Sequence, residues 1–237
     1  MVKRWIEQLK PILMALGFVL LVRTVVAEPY SVPTPTMVPT LLVGDQLVGA
    51  KLAYGYSRYS LPLGEVPALT GRLLGKAPER GDVVVFRLPR EPSTTFVKRL
   101  IGLPGDRIQM RAGRLYINGE LVARRAAGTF EGDKLYIETL PNGREHEIVE
   151  VSDSGRHDNT PVFIVPERHY FMMGDNRDNS LDSRVAAEAG GVGFVPEENL
   201  VARVDRLLVS RDPDVGWLDF GQWARAFRFG RTFGHID

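Results

Sequence analysis

The sequence predicts a mainly β protein: one antiparallel β domain behind a single N-terminal transmembrane helix, with a short helix near the C-terminus. Short runs of alternating or β-branched residues recur from residue 81 to residue 209, punctuated by Gly, Pro and Asn-Gly turns. One apolar run, residues 11–22, stands near the N-terminus between Lys10 and Arg23. Only the tail, around residues 215–229, spaces its large apolar side chains (Trp217, Leu218, Trp223, Phe227, Phe229) in a helical rhythm.

In chain order, the N-terminus comes first. Lys3, Arg4 and Lys10 precede the apolar run, and Val25-Val26-Ala27 follows it. A cleaved signal peptide and a retained signal anchor both fit that pattern. The span is short of the ~20 residues a bilayer asks for, but Trp5 and Ile6 could extend it and Arg23 could snorkel. Basic residues at the front place the N-terminus in the cytoplasm and everything after Ala27 outside. On this pattern alone residues 1–27 are a signal peptide or a cytoplasmic N-terminus and anchor, 28–212 an extracytoplasmic β domain, and 213–237 an amphipathic helical tail.

Within the β domain, residues 41–50 read as strand, Gly turn, strand. Residues 51–80 form an irregular excursion rich in Tyr, Gly and Pro, whose tyrosines pack on the body or touch lipid headgroups. Val83–Phe86 is a buried strand, and residues 94–101 are a second one. Residues 107–110 and 114–117 flank an Ala-Gly turn, Asn118-Gly119 marks a hairpin, and residues 134–139 and 144–151 pair around Asn142-Gly143. Residues 162–165, 170–173 and 201–209 complete the set.

Composition excludes several functions. Across 237 residues, 44% are hydrophobic and 25% charged, with a formal charge of +1, so nothing favours nucleic acid. The absence of cysteine excludes a disulfide frame, a thiol nucleophile and any thiolate metal site.

Three segments carry chemistry. In residues 32–41, Pro33, Pro35 and Pro39 enforce a stiff extended loop that presents Thr34 and Thr36. Taken alone, this is a stalk or a nucleophile loop. On the strand at 94–101, alternation puts Lys98 between Phe96 and Leu100. A buried lysine there would have a lowered pKa and could act as a general base; on an edge it would simply snorkel. Residues 173–184 crowd Asp175, Arg177, Ser180, Asp182 and Arg184 into a polar loop. Arg177 stands where a calcium loop needs an oxygen ligand, and the histidines are scattered, so no metal and no organic cofactor is implied.

Together and in this order, the segments resemble bacterial type I signal peptidase, the leader peptidase with a serine nucleophile and lysine base. Pro33-x-x-x-Met37-x-Pro39-Thr40-Leu41 is similar to its nucleophile loop, Lys98-Arg99 through Pro104-Gly105-Asp106 to its base strand, and residues 174–184 to its third signature. The 193–196 segment resembles the one that closes its core. The resemblance implies that Thr36 is the nucleophile and Lys98 the base. It implies an oxyanion hole from the Thr34 hydroxyl and the Thr36 N–H, orientation of Lys98 by Ser180, and a loop braced by Asp175, Arg177, Asp182 and Arg184. The substrate would add as a strand between the segment before Pro33 and the strand holding Lys98, and small-residue cleavage sites of Ala-x-Ala type would fit.

The resemblance also implies signal peptides of preproteins and the lipid bilayer as partners, and it favours the retained anchor: a single-pass protein of the bacterial inner membrane. The departure is Thr36, where the family carries serine. Its methyl stiffens χ1 and crowds the attack. Two alternatives stay open: a maturase dedicated to one pilin or secretion substrate, and a non-catalytic homologue.

Overall fold

The computed structural model describes residues 2–60, 71–215 and 220–236. Helix α1 spans Val2–Val25. The strands are β1 Ala27–Ser31, β2 Asp45–Ala50, β3 Val83–Leu88, β4 Glu91–Gly102, β5 Arg107–Arg111, β6 Arg114–Ile117, β7 Glu120–Leu121, β8 Ala123–Phe130, β9 Asp133–Thr139, β10 Glu145–Glu150, β11 Phe163–Ile164, β12 His169–Met173, β13 Val195–Pro196 and β14 Leu200–Ser210. Helix α2 covers only Trp223–Ala226.

The strands form three sheets, ordered β1-β2-β14-β3-β4-β12-β13, β10-β9-β8 and β11-β5-β6-β7. Their pairings are antiparallel, so the mainly β expectation holds. β3 explains its unbroken apolar run. Val83 and Val85 face one core with Met37 and Leu47, while Val84, Phe86 and Leu88 face another with Tyr54 and Leu100. A strand buried on both faces needs no polar alternation. A third core joins Ile101, Phe171 and Met173 to the four-stranded sheet. Turn chemistry is as the sequence indicates: Asn118 and Gly119 adopt φ of 57° and 87°, the paired positive values of a two-residue hairpin. Tyr54 is buried and donates to Asp82 Oδ2 at 2.9 Å, so this tyrosine of the excursion packs on the body; residues 61–70 lie outside the described residues.

The transmembrane expectation is corrected. Among the described residues no helix is long and apolar enough to cross a membrane. α1 has 24 residues, about 36 Å of helix. Lys10 and Arg23 bound its uncharged stretch at the twelve residues 11–22. Twelve residues rise about 18 Å, against a hydrocarbon thickness of roughly 30 Å. The predicted inner-membrane, single-pass topology, with the N-terminus inside and the β domain outside, rested on that span and falls with it.

The tail differs from the expected helix in extent. α2 has 4 residues and is flanked by 3-10 turns at Phe220–Gln222 and Phe229–Arg231. Gly221, Gly230 and Gly234 disfavour a longer helix; Trp217 and Leu218 lie outside the described residues. From the 3-10 turn at Phe229–Arg231 onward the tail lies against the large sheet, where Ile236 joins the core with Met37 and Leu207.

Candidate active site

Three segments meet at one groove of about 870 Å³. The Pro/Thr loop enters it as a 3-10 turn, Pro35–Met37, with Pro at the start where a missing N–H costs nothing. Met37 and Leu41 plug the loop into the core, being 1% and 0% exposed. Thr36 is left half-buried in the groove. Thr34 precedes the turn in extended geometry, exposed, and its hydroxyl is not used as a cap.

Lys98 reaches Thr36 from β4. Its Nζ lies 2.5 Å from Thr36 Oγ1 and 5.6 Å from the centre of the Phe96 ring, the neighbour that alternation assigned to its face. Lys98 is 3% exposed. Burial pushes its pKa from 10.5 down to about 8, and Arg184 pushes the same way against the opposing charges of Asp182 and Asp175. The ammonium donates to Thr36; once neutral, Nζ offers a lone pair to the Thr36 hydroxyl instead.

The polar loop after β12 holds this pair in place. Asn176 N–H donates to the Thr36 carbonyl at 3.2 Å, and its side-chain amide donates to the Pro35 carbonyl at 3.2 Å. Asp175 accepts a two-pronged pair from Arg99, Nε at 2.9 Å and Nη2 at 2.8 Å, and a bond from Thr40 Oγ1 at 2.6 Å. The carboxylate thus ties β4 to the Pro/Thr loop, with both ion-pair partners buried. Asp182 pairs with Arg184 at 2.9 and 2.8 Å and accepts the Gly174 N–H at 3.0 Å. Burial opposes ionisation of Asp182, but the Arg184 charge and these bonds outweigh it and hold the pKa low. Arg177 turns away from the loop's own carboxylates and donates to Glu138 on β9 at 2.5 Å. Ser180 lines the groove with Lys98; its Oγ is buried and, among the described residues, without a hydrogen-bond partner. Gly174 is a required glycine: a Cβ there would sit 2.2 Å from Ser180 Oγ and 2.5 Å from the Thr36 carbonyl.

Several residues of the site escape a reading of the sequence. Arg99, Thr40 and Asn176 fall inside the matched motifs, but no role was assigned to them there. Arg231, near the other end of the chain, donates to the Thr40 carbonyl at 2.8 Å and to Asp45 at 2.9 Å, clamping the base of the Pro/Thr loop.

The groove also has open backbone edges. β1 ends the large sheet, and β12 pairs with β4 only from Arg99 onward, leaving residues 94–98 unpaired on that side. A buried lysine on a hydroxyl, beside open strand edges, is a constellation for covalent hydrolysis of an extended peptide.

The sequence profile of the family described as signal peptidase, peptidase S26, matches residues 5–208. This chain belongs to the signal peptidase I family. The signal peptidase I of Rickettsia massiliae is 41% identical over 238 residues, covering 92% of this chain and 88% of that one. That of Rickettsia prowazekii is 40% identical over the same shares. A crystal structure of a signal peptidase I from Enterococcus faecalis V583 matches at 30% identity, covering 54% of this chain and 97% of that chain, with a TM-score of 0.34, too low for its geometry to bear on this site. Membership of the signal peptidase I family makes the chain a serine-type endopeptidase by class, in a family that processes exported preproteins. The hydroxyl that Lys98 contacts in this chain belongs to a threonine, Thr36.

Proposed function

We propose that this signal peptidase I cleaves signal peptides from exported preproteins after small residues, through an acyl-enzyme on Thr36. The observation that carries the reading is the 2.5 Å approach of Lys98 Nζ to Thr36 Oγ1, made by a lysine whose pKa burial has lowered to about 8. Thr36 Oγ attacks the scissile carbonyl as its proton passes to Lys98. The oxyanion is held by the Thr34 hydroxyl and the Thr36 N–H. Collapse breaks the C–N bond, and the proton on Lys98 leaves with the amine of the mature chain. Lys98 then takes a proton from water, whose oxygen attacks the ester; as the ester C–O bond breaks, Lys98 returns that proton to Thr36 Oγ1. The unspent hydroxyl of Ser180 orients the Lys98 amine between these steps. The Asp175–Arg99 and Asp182–Arg184 pairs, with Arg177 on Glu138, keep the loop rigid beneath it. The substrate lies extended between β1 and β4.

The test is a purified preprotein with Ala at positions −3 and −1. The expected result is cleavage by wild type and none by Thr36→Ala or Lys98→Ala. Thr36→Ser is expected to be faster, because removing the methyl relieves an attack geometry in which ~1 Å costs roughly 100-fold. Cleavage by Thr36→Ala at the wild-type rate would refute the nucleophile assignment. Cleavage by Thr36→Ser alone would mark the natural chain as the non-catalytic relative. Equal cleavage of several unrelated preproteins separates a general peptidase from a dedicated maturase.

A further inference from the structure

A second cavity, of about 470 Å³, is walled by Pro39 and Thr40, by Leu207 of β14 and Ile236 of the tail, and by residues 145–147 of β10. None of these residues lines the catalytic groove. β10 is the outer strand of its sheet. The Leu140 N–H donates to the Arg144 carbonyl at 2.9 Å, which sets the pairing toward β9 on the even-numbered residues of β10. Val149 accordingly turns outward. Its N–H donates to the Asp175 carbonyl and its carbonyl accepts the Arg177 N–H, both at 2.9 Å. The period of two gives Glu145 and Glu147 the same outward direction. Among the described residues their backbone N–H and C=O groups have no partner. The strand edge that holds the catalytic loop at Val149 is thus unoccupied two residues earlier, where it borders the cavity. Such an edge is a template for an added strand.

The cavity walls define the chemistry of that strand. Ile137, Leu207 and Ile236 offer an apolar bed for a side chain. Glu147 is exposed and, among the described residues, forms no ion pair. The other Glu and Arg side chains of the cavity face opposite charges: Glu145 meets Arg125 at 3.1 Å, and Arg231 meets the buried Asp45 at 2.9 Å. Glu147 is therefore the one of these charges left uncompensated, and it favours a basic side chain on the incoming strand.

We infer that this edge is a second docking site for the preprotein. An extended segment away from the cut adds to β10, with its backbone on Glu145 and Glu147, an apolar side chain on the bed and a basic side chain near Glu147. The occupant is the preprotein because the proposed activity itself brings an extended chain to this place. Thr40, in the cavity wall, follows the nucleophile Thr36 by four positions, at most about 14 Å of chain. The inference rests on the proposed peptidase reading and adds a contact outside the catalytic groove.

Two measurements on the full chain test it. In the first, acetyl-Lys-Val-Lys-amide is titrated while the backbone amide signal of Glu147 is followed by NMR. The expected result is a saturable shift, weaker for acetyl-Glu-Val-Glu-amide and absent when the backbone nitrogens of the peptide are methylated. In the second, kcat/KM is compared for a whole preprotein and for a short peptide with the same cleavage site. Glu147→Pro removes the outward N–H at a strand edge, where proline is tolerated, and Ile137→Trp fills the cavity. Each is expected to lower kcat/KM for the preprotein by about threefold to tenfold, the size of one backbone hydrogen bond, and to leave the short peptide unaffected. The inference is overturned if the Glu147 signal does not move, if the methylated peptide moves it equally, or if both variants leave the preprotein-to-peptide ratio unchanged, as an equal loss on both substrates would. Failure of wild type to cleave either substrate would overturn the peptidase reading instead; the titration needs no turnover and still decides whether the edge takes a strand.

Discussion

Activity should rise with pH through about 8, because the base must first lose a proton that burial has already loosened. Lys98 is buried and its pKa has moved from 10.5 to about 8, which corresponds to about 3 kcal/mol of disfavoured charge. At pH 7 about a tenth of the molecules then carry the neutral amine, at pH 8 half, and at pH 9 about nine-tenths. An ordinary lysine would be neutral in only roughly one molecule in 3,000 at pH 7, so burial enriches the base by roughly 300-fold. The assay is kcat/KM on a peptide with Ala at −3 and −1, from pH 6 to 10. The expected profile climbs about tenfold between pH 7 and pH 9 and levels off. Stability supplies a second readout. Below pH 8 the lysine is charged in both folded and unfolded chains, so the folded state bears the whole desolvation penalty. Between 8 and 10.5 the folded state sheds its proton first, so the penalty is relieved as pH rises. Lys98→Met should therefore be more stable than wild type near pH 7, and its advantage should shrink by pH 10. A rate profile flat from pH 6 to 10, or one that turns only near 10, would refute the argument, as would a stability gap independent of pH.

Three further substitutions test the scaffold. Gly174→Ala should cut kcat by more than about tenfold, since its methyl would meet the Thr36 carbonyl and push the nucleophile loop aside; a peptide assay beside a Tm measurement separates this from unfolding. Asp175→Asn leaves the buried Arg99 without its carboxylate, and denaturant unfolding should show a loss of about 3–5 kcal/mol. Arg231→Ala removes the clamp on Thr40 and leaves the buried Asp45 short of one charged donor; it should lower kcat more than it raises KM and cost about 1–3 kcal/mol by the same unfolding measurement.

Where local chemistry decides structure, the sequence is legible. The apolar block at β3, the alternation around Lys98 and the Asn-Gly turns each specify their geometry within a few residues. Strand β8 is not legible: Ala-Arg-Arg-Ala-Ala-Gly has little β propensity and pairs because β9 offers it an edge. β1 sits between an apolar run and a proline loop and is formed by its pairing with β2. The anchor expectation fails because Lys10 and Arg23 bound the charge-free run of α1 at residues 11–22. In the candidate site, the residue types were readable but their partners were not. The acidic and basic residues of 174–184 read as a polar loop braced by its own side chains. Asp175 instead pairs with Arg99, 76 positions away, and Arg177 with Glu138, 39 away. Such choices depend on which strands lie side by side, which no local pattern encodes.

The clamp from Arg231 has a consequence for how the protein is made. It meets the Thr40 carbonyl across 191 positions of chain. A growing polypeptide already holds Thr36 and Thr40 long before it holds Arg231, so their loop exists for most of synthesis without the tie that seats it. Closing a loop of that length comes late, after the nearer strands have paired. The loop around Thr36 therefore takes its final seat only once the intervening chain is synthesised and folded.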